Sequence, residues 1–326
     1  MTKKLKVLSL FTGIGSPEKG LENLGVDYEL VGFSEIDKNA IKAYCAIHGV
    51  DESLNVGDVT KLDETTLEDF DLMTYGFPCQ SFSVAGKKLG FEDEEKGGLF
   101  FDSMRIAKEK KPKFMIAENV KGLVIHDKGN TFKTVLSTLE DIGYNNYYKV
   151  CNSVDYGIPQ ARERVFIVSI RKDIDNGRFA FPQGSGLNGK TMADFVDLNN
   201  TNRHAKQSIK KYFDSKYHKD YQSKNGIVKV FDGCAQGYFS SSFSQNRIYS
   251  VFGVCPTLTT GHDSPLIYEV GGLLTGEERY LLQGFTKEDY EKASKVCSEG
   301  ALSKQAGNSI TVDVIQAILH SLLTME

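Results

Sequence analysis

From residue 5 to residue 170, short apolar, β-rich runs alternate with segments of helix length, and no other feature restricts the fold as much. The apolar runs are LKVLSLF (5–11), YELVGFSEI (28–36), SLNVGDV (53–59), FDLMTYGF (70–77), FMIAENV (114–120), YYKVCNSVDYGI (147–158) and RVFIVSI (164–170). Helical patterns fall at 17–25, 38–49 and 99–111; in the second of these, Ile41, Tyr44, Cys45 and His48 share one face. Strands separated by helices pair in parallel and are covered on both faces. The expected class is therefore α/β, with a Rossmann-like mixed sheet. The last two strands have no helix between them and are expected to form a hairpin at its edge.

The pattern stops near residue 172, where Gly, Ser, Asn and Lys take over. Regular structure returns at LLTGEERYLLQGF (273–285) and in a helix over 310–323, where Val314, Ile318 and Leu322 recur every four residues. The expected division is a large domain of 1–172 plus 300–326, a small, mostly irregular or β domain of 173–272, and a hinge of 273–299.

Charge separates these regions. The whole chain carries −4, but 171–255 holds 13 Lys/Arg against 7 Asp and no Glu, so it carries +6 and the remainder −10. The same block contains Tyr212, Phe213, Tyr217, Tyr221, Tyr238, Phe239 and Phe243. A basic, aromatic-rich segment in an acidic chain points to a polyanion-binding surface. The six cysteines, at 45, 79, 151, 234, 255 and 297, include no CxxC pair, and the six histidines no HxxxH pair, so no metal is expected. No apolar run is long enough for a membrane span, and the apolar run near the N-terminus, broken by Lys6 and Ser9, is not expected to be a secretion leader. A reducing cytoplasm is the expected compartment.

LFTGIGS (10–16) joins the first strand to a helix, and Gly13 and Gly15 permit a tight turn with close ligand approach. Glu35, ending the second strand, can accept from a ribose; Asp58, ending the third, can accept from an adenine amine. With no Walker-type lysine, NAD and S-adenosylmethionine remain as ligands. The fourth strand ends at Pro78-Cys79 and the fifth with AENV (117–120), which holds Glu118, while Arg162 and Arg164 lie two apart, on one face of an extended segment. A thiol is a nucleophile near neutral pH. A nucleophile, an acid and a cation in one crevice suit attack on an aromatic ring carbon, with protonation at a ring nitrogen.

FTGIGS, GFPCQSFSVAGKKLGFEDEEKGGLFFD, ENVKGL, QARERVF, LLQGF and QAGNSI occur in the order and spacing of one family. The chain resembles bacterial and phage DNA (cytosine-5)-methyltransferases over nearly its whole length. The resemblance implies S-adenosylmethionine bound by Phe11, Thr12, Gly13, Gly15 and Ser16, with Glu35 on the ribose, Asp58 on the adenine amine, and Ile36 and Val59 beside the ring. It adds Phe77, Pro78, Asn308 and Ser309 to that pocket. It makes Cys79 the group that attacks carbon 6 of a flipped cytosine, Glu118 the partner of ring nitrogen 3 and the amine, and Arg164, helped by Arg162, the anchor. Gln80 and Ser83 would meet DNA from a loop (80–98) that closes on the flipped base, and Thr257-Leu258 would belong to the target-recognition region. The expected partner is double-stranded DNA, with room for a cognate restriction endonuclease acting independently, and the chain is expected to be a monomer associated with the nucleoid. A tRNA cytosine-5 methyltransferase and an NAD-dependent oxidoreductase are the alternatives. Two departures stand out: Leu281 replaces an arginine frequent before LQGF, with Arg279 two residues earlier, and the absence of Trp leaves Ile36 to face the adenine.

Overall fold

The computed structural model describes residues 4–78, 98–201, 203–205, 207–218, 221–222, 226–240, 246–260 and 265–325. The chain divides into two compact units. The first comprises Met1–Cys151, Glu163–Pro182 and Ile315–Glu326; the second comprises Asn152–Arg162 and Gln183–Val314. These cuts differ from the change in composition at 172: the second unit takes in 152–162 and runs on to Val314.

The first unit starts with β1 (Leu5–Leu10), α1 (Ser16–Asn23), β2 (Tyr28–Ser34) and α2 (Lys38–His48). Asp37 caps α2 by accepting from Asn39 N and Ala40 N, and Gly49, at φ 65°, closes it in the left-handed region where glycine costs least. β3 (Leu72–Tyr75), α3 (Leu99–Lys110), β4 (Phe114–Val120), α4 (Asn130–Asp141) and β5 (Tyr144–Asn152) follow. β6 (Gln160–Ala161) falls in the second unit, and β7 (Glu163–Arg171) returns to the first.

The sheet order is β2-β1-β3-β4-β7-β5. β2, β1, β3 and β4 run parallel, and β7 is antiparallel to β4. The class is the expected mixed α/β sheet, and β7 and β5 are neighbours at one end of it. Leu8, Met73, Phe100, Met104, Met115, Val135, Leu139 and Val165 are fully buried and form its core with Tyr75 and Phe77.

Two expectations fail in detail. The strand expected at 53–59 is a pair of single helical turns, with one isolated bridge from Phe33 to Asn55. Asp51 and Asp58 each accept the amide two residues on, which competes with strand pairing. The second difference is α4, a helix in a stretch where no element is expected from the sequence. Phe132, Val135 and Leu139 form its buried stripe.

The second unit has α5 (Gln207–Lys210) and very short strands: β8 (Tyr221–Gln222), β9 (Val228–Asp232), β10 (Arg247–Tyr249), β11 (Cys255–Pro256), β12 (Leu266–Ile267) and β13 (Gly272–Leu273). Five of them order as β13-β12-β10-β9-β8, and β11 pairs in parallel with β6. Helices α6 (Gly276–Leu281) and α7 (Lys287–Ser294) each begin in a capping box, Thr275 with Glu278 and Thr286 with Asp289. α8 (Glu299–Asn308) follows, and then α9 (Val312–Leu323).

The basic block is less of an aromatic surface than its composition implies. Tyr212 stacks on Phe231 at 4.4 Å in the unit's core, with the half-buried Tyr217 and Phe239 packed around it, while Tyr238, 47% exposed, touches its ring from outside. Lys210, Lys211 and Lys216 stay exposed. The side chain of Tyr221, and Phe243, lie outside what is described. In the first unit, Gln316 of α9 meets α1 where Gly20 has no side chain: a Cβ there would come within 3.3 Å of the Gln316 backbone. No helix among the described residues is long and apolar enough to cross a membrane.

Candidate active site

The ends of β1 and β2 carry the glycine turn. Phe11, Gly13 and Gly15 all have positive φ, at 56°, 57° and 80°. Thr12 N donates to Ser34 O at 3.2 Å, and Gly15 N donates to Thr12 O at 3.0 Å. Beside the turn, Glu35 Oε2 accepts from Gly13 N at 2.9 Å, and Oε1 accepts from Ile36 N and Asp37 N at 2.8 and 2.9 Å. Asn55 fixes this corner: its Oδ1 accepts from Glu35 N and Gly57 N, and its Nδ2 donates to Glu35 O. The sequence reading missed Asn55, whose one signal is its place inside the run 53–59 that holds Asp58.

Ile36 is 74% exposed, next to this half-buried carboxylate. The Asp58 carboxylate accepts from both the hydroxyl and the amide of Thr60, and these bonds hold its pKa below the ordinary value. Val59 and Ser16 are buried. A Cβ on Gly13 would meet nothing within 4 Å, so the turn faces open space. An open backbone turn, carboxylate acceptors and an uncovered apolar side chain match the parts of an adenosine: sugar hydroxyls, an amine and a flat ring.

The ends of β3 and β4 carry the second group. Phe77 is buried, and its carbonyl accepts from Asn119 Nδ2 at 2.7 Å; Pro78 is exposed. Cys79, Gln80 and Ser83 lie outside the described residues. Glu118 and Arg164 form an ion pair, Oε1 to Nε at 3.1 Å, with side chains 14% and 18% exposed. The antiparallel pairing brings them together: Arg164 pairs with Val120, two residues along from Glu118. The other carboxylate oxygen, Oε2, lies 3.9 Å from where a Gly76 Cβ would sit, three residues before Cys79.

Arg162 is placed differently from the sequence expectation. It lies between β6 and β7, not within one extended face shared with Arg164, and belongs to the second unit. Its guanidinium, buried at 3% exposure, donates to the carbonyls of Leu258, Gly307 and Ser309 at 3.1, 3.1 and 2.7 Å. A buried guanidinium needs such acceptors. Gln160 accepts from Leu258 N, Thr257 Oγ1 donates to Ala161 O, and Arg279 donates to Thr259 O. Gly307 touches the same loop so closely that a Cβ would fall 2.2 Å from Thr259 O. Leu258 is 1% exposed in a hydrophobic cluster, so its side chain holds the loop and is not presented to DNA. Asn308 is exposed and Ser309 buried.

A family model described as C-5 cytosine-specific DNA methylase matches residues 5–324. The chain belongs to that family. It is a DNA cytosine-5 methyltransferase, which removes the oxidoreductase alternative left by the glycine turn. It is 33% identical to the orphan methyltransferase M.SPRI of Bacillus phage SPR, across 98% of both chains. It is 37% identical to the type II methyltransferase M.Bsp6I of Bacillus sp. (strain RFL6), again across 98% of both. Its fold is similar to that of the S. pombe Dnmt2 methyltransferase, with a TM-score of 0.70 at 18% identity over 98% of each chain.

Proposed function

We propose that this methyltransferase activates a cytosine swung out of duplex DNA by covalent attack from Cys79, with Glu118 and Arg164 as the groups that hold and polarise the ring. One observation carries the reading: the Glu118–Arg164 pair faces Gly76, on the segment that runs straight into Pro78-Cys79. A target carbon inside a stacked duplex is out of reach, so the base must leave the stack, at about a few kcal/mol.

Glu118 enters as the carboxylic acid: its carbonyl oxygen accepts from the exocyclic amine of the base, and its O–H donates to ring nitrogen 3. The Cys79 thiolate forms a bond to carbon 6 and pushes the electron pair of the 5,6 double bond into the ring. The Glu118 proton passes to ring nitrogen 3, Arg164 stabilises the carboxylate left behind, and carbon 5 becomes nucleophilic. When bound, S-adenosylmethionine supplies the electrophilic methyl group. A base then takes the proton from carbon 5, the double bond re-forms, the thiolate leaves, and ring nitrogen 3 returns its proton to Glu118. The cofactor assignment is supported by the glycine turn with Glu35, by the uncovered Ile36 and by the Asp58 carboxylate. The active species is read as a monomer in the cytoplasm, acting on double-stranded DNA.

Incubation with S-adenosylmethionine and a duplex library carrying 5-fluorocytosine tests the mechanism. Fluorine blocks the final elimination, so wild type should form a stable protein–DNA adduct and Cys79→Ala should not. An adduct that persists in Cys79→Ala, or none across all short sequence contexts with wild type, would overturn it.

A further inference from the structure

We infer that His48 is a positioning residue for the cofactor turn: as an imidazolium it ties the Gly13–Gly15 turn to α1, and so makes affinity for the adenosyl ligand depend on pH. The inference rests on the reading of that turn as the S-adenosylmethionine site.

His48 is the last residue of α2, and its side chain is 1% exposed. Nδ1 lies 2.6 Å from Glu22 Oε1, and Nε2 lies 3.0 Å from the carbonyl oxygen of Ile14, the residue between the two turn glycines. Both partners are acceptors. A neutral imidazole has one N–H, so its other nitrogen would turn a lone pair toward an oxygen; the imidazolium donates to both. The ring also shapes the turn. A Cβ on Gly15 would fall 2.2 Å from Nε2 and 2.8 Å from the Tyr44 ring, so residue 15 is packed directly over His48.

The charged and titratable groups around the ring come from three elements. α1 contributes Glu18, Lys19 and Glu22, α2 contributes Tyr44, and β2 contributes Tyr28. Glu18 is fully buried and accepts from the Ser9 hydroxyl. Lys19 shares Glu22 with His48, at 3.5 Å. Burial works against a charge on His48 but is outweighed by the Glu22 hydrogen bond and the Glu18 and Glu22 charges, so the pKa stands above its ordinary value. Glu22 agrees from the other side: burial pushes its pKa up, and the His48 and Lys19 contacts together more than reverse that. With a raised folded-state pKa, the clamp is complete below the ordinary histidine value of about 6.5 and is lost as pH rises through the raised value.

Calorimetry with S-adenosylhomocysteine, over about pH 6 to 10, tests this on the full chain without DNA. Wild-type affinity should fall about tenfold on the alkaline side, the size of one charge-assisted hydrogen bond. Glu22→Gln, at a partly exposed rim, should move the midpoint to lower pH, and NMR of the His48 ring proton should shift with it. His48→Gln keeps one N–H donor and should lose this limb; the difference profile against wild type cancels titration of the ligand itself. Superimposable profiles for wild type and Glu22→Gln, or a neutral His48 ring at neutral pH, would overturn the inference while leaving the cofactor reading intact. No binding by wild type at any pH would overturn the cofactor reading, and the inference with it.

Discussion

Arg164 and Arg162 are two residues apart in one motif, yet they belong to regions built on opposite plans. In the first unit, the groups at the strand ends are left partly open: Arg164 faces a carboxylate and Ile36 stands 74% exposed. In the second unit, the matching motif residues are closed off. Gln160, Arg162, Leu258 and Arg279 are at most 3% exposed, and both arginines donate to backbone carbonyls. A charged partner with room beside it can exchange that partner for a substrate. A ring of buried carbonyls cannot be exchanged without loss of the fold. Membership of a motif therefore does not assign chemistry; partner type and exposure do.

The contrast breaks or holds on two substitutions. Glu118→Gln should cut kcat about a thousandfold, the size expected when a positioned acid–base group is removed. The amide oxygen still accepts from Arg164, so the melting temperature should move by only about a few degrees. Arg162→Ala should do the reverse in kind. It strips three buried carbonyls of a donor, at a cost of about 3 kcal/mol in stability, read as a lower urea midpoint. Arg162→Lys supplies a point charge in place of a planar fork and should recover only part of that. If Arg162→Ala keeps its midpoint but loses turnover as Glu118→Gln does, Arg162 belongs with the reacting groups and the contrast fails.

Much of the first unit was legible because buried parallel strands are apolar runs of fixed length, and their carboxyl ends are where an α/β sheet presents its ligand-facing groups. β4 matches its expected limits, and Glu118, Glu35 and the glycine turn fall at strand ends as expected. The run at 53–59 misled because Asp51 and Asp58 use their carboxylates on local amides. The aromatics of the basic block misled for a different reason. Composition does not say which ring faces inward, and Tyr212 and Phe231 are stacked inside the second unit. Asn55 and His48 act through backbone atoms far along the chain, and sequence spacing carries no trace of that.

The smallest effect gives the finest test of the contrast, since it compares two aliphatic side chains assigned by resemblance to ligand-facing regions. Ile36 meets water and Leu258 meets core. Ile36→Ala removes no packed contact and should leave stability within about 0.5 kcal/mol. If an adenine ring covers Ile36 when bound, the lost apolar contact should weaken S-adenosylhomocysteine by about 1 kcal/mol, roughly fivefold. Leu258→Ala should instead cost about 2–5 kcal/mol of stability, with cofactor affinity retained in the fraction that stays folded. Calorimetry paired with urea unfolding reads both quantities on the same samples. An Ile36→Ala protein that binds like wild type would mean that its exposure reflects nothing about the ligand. The open plan of the first unit would then rest on Glu118 and Arg164 alone.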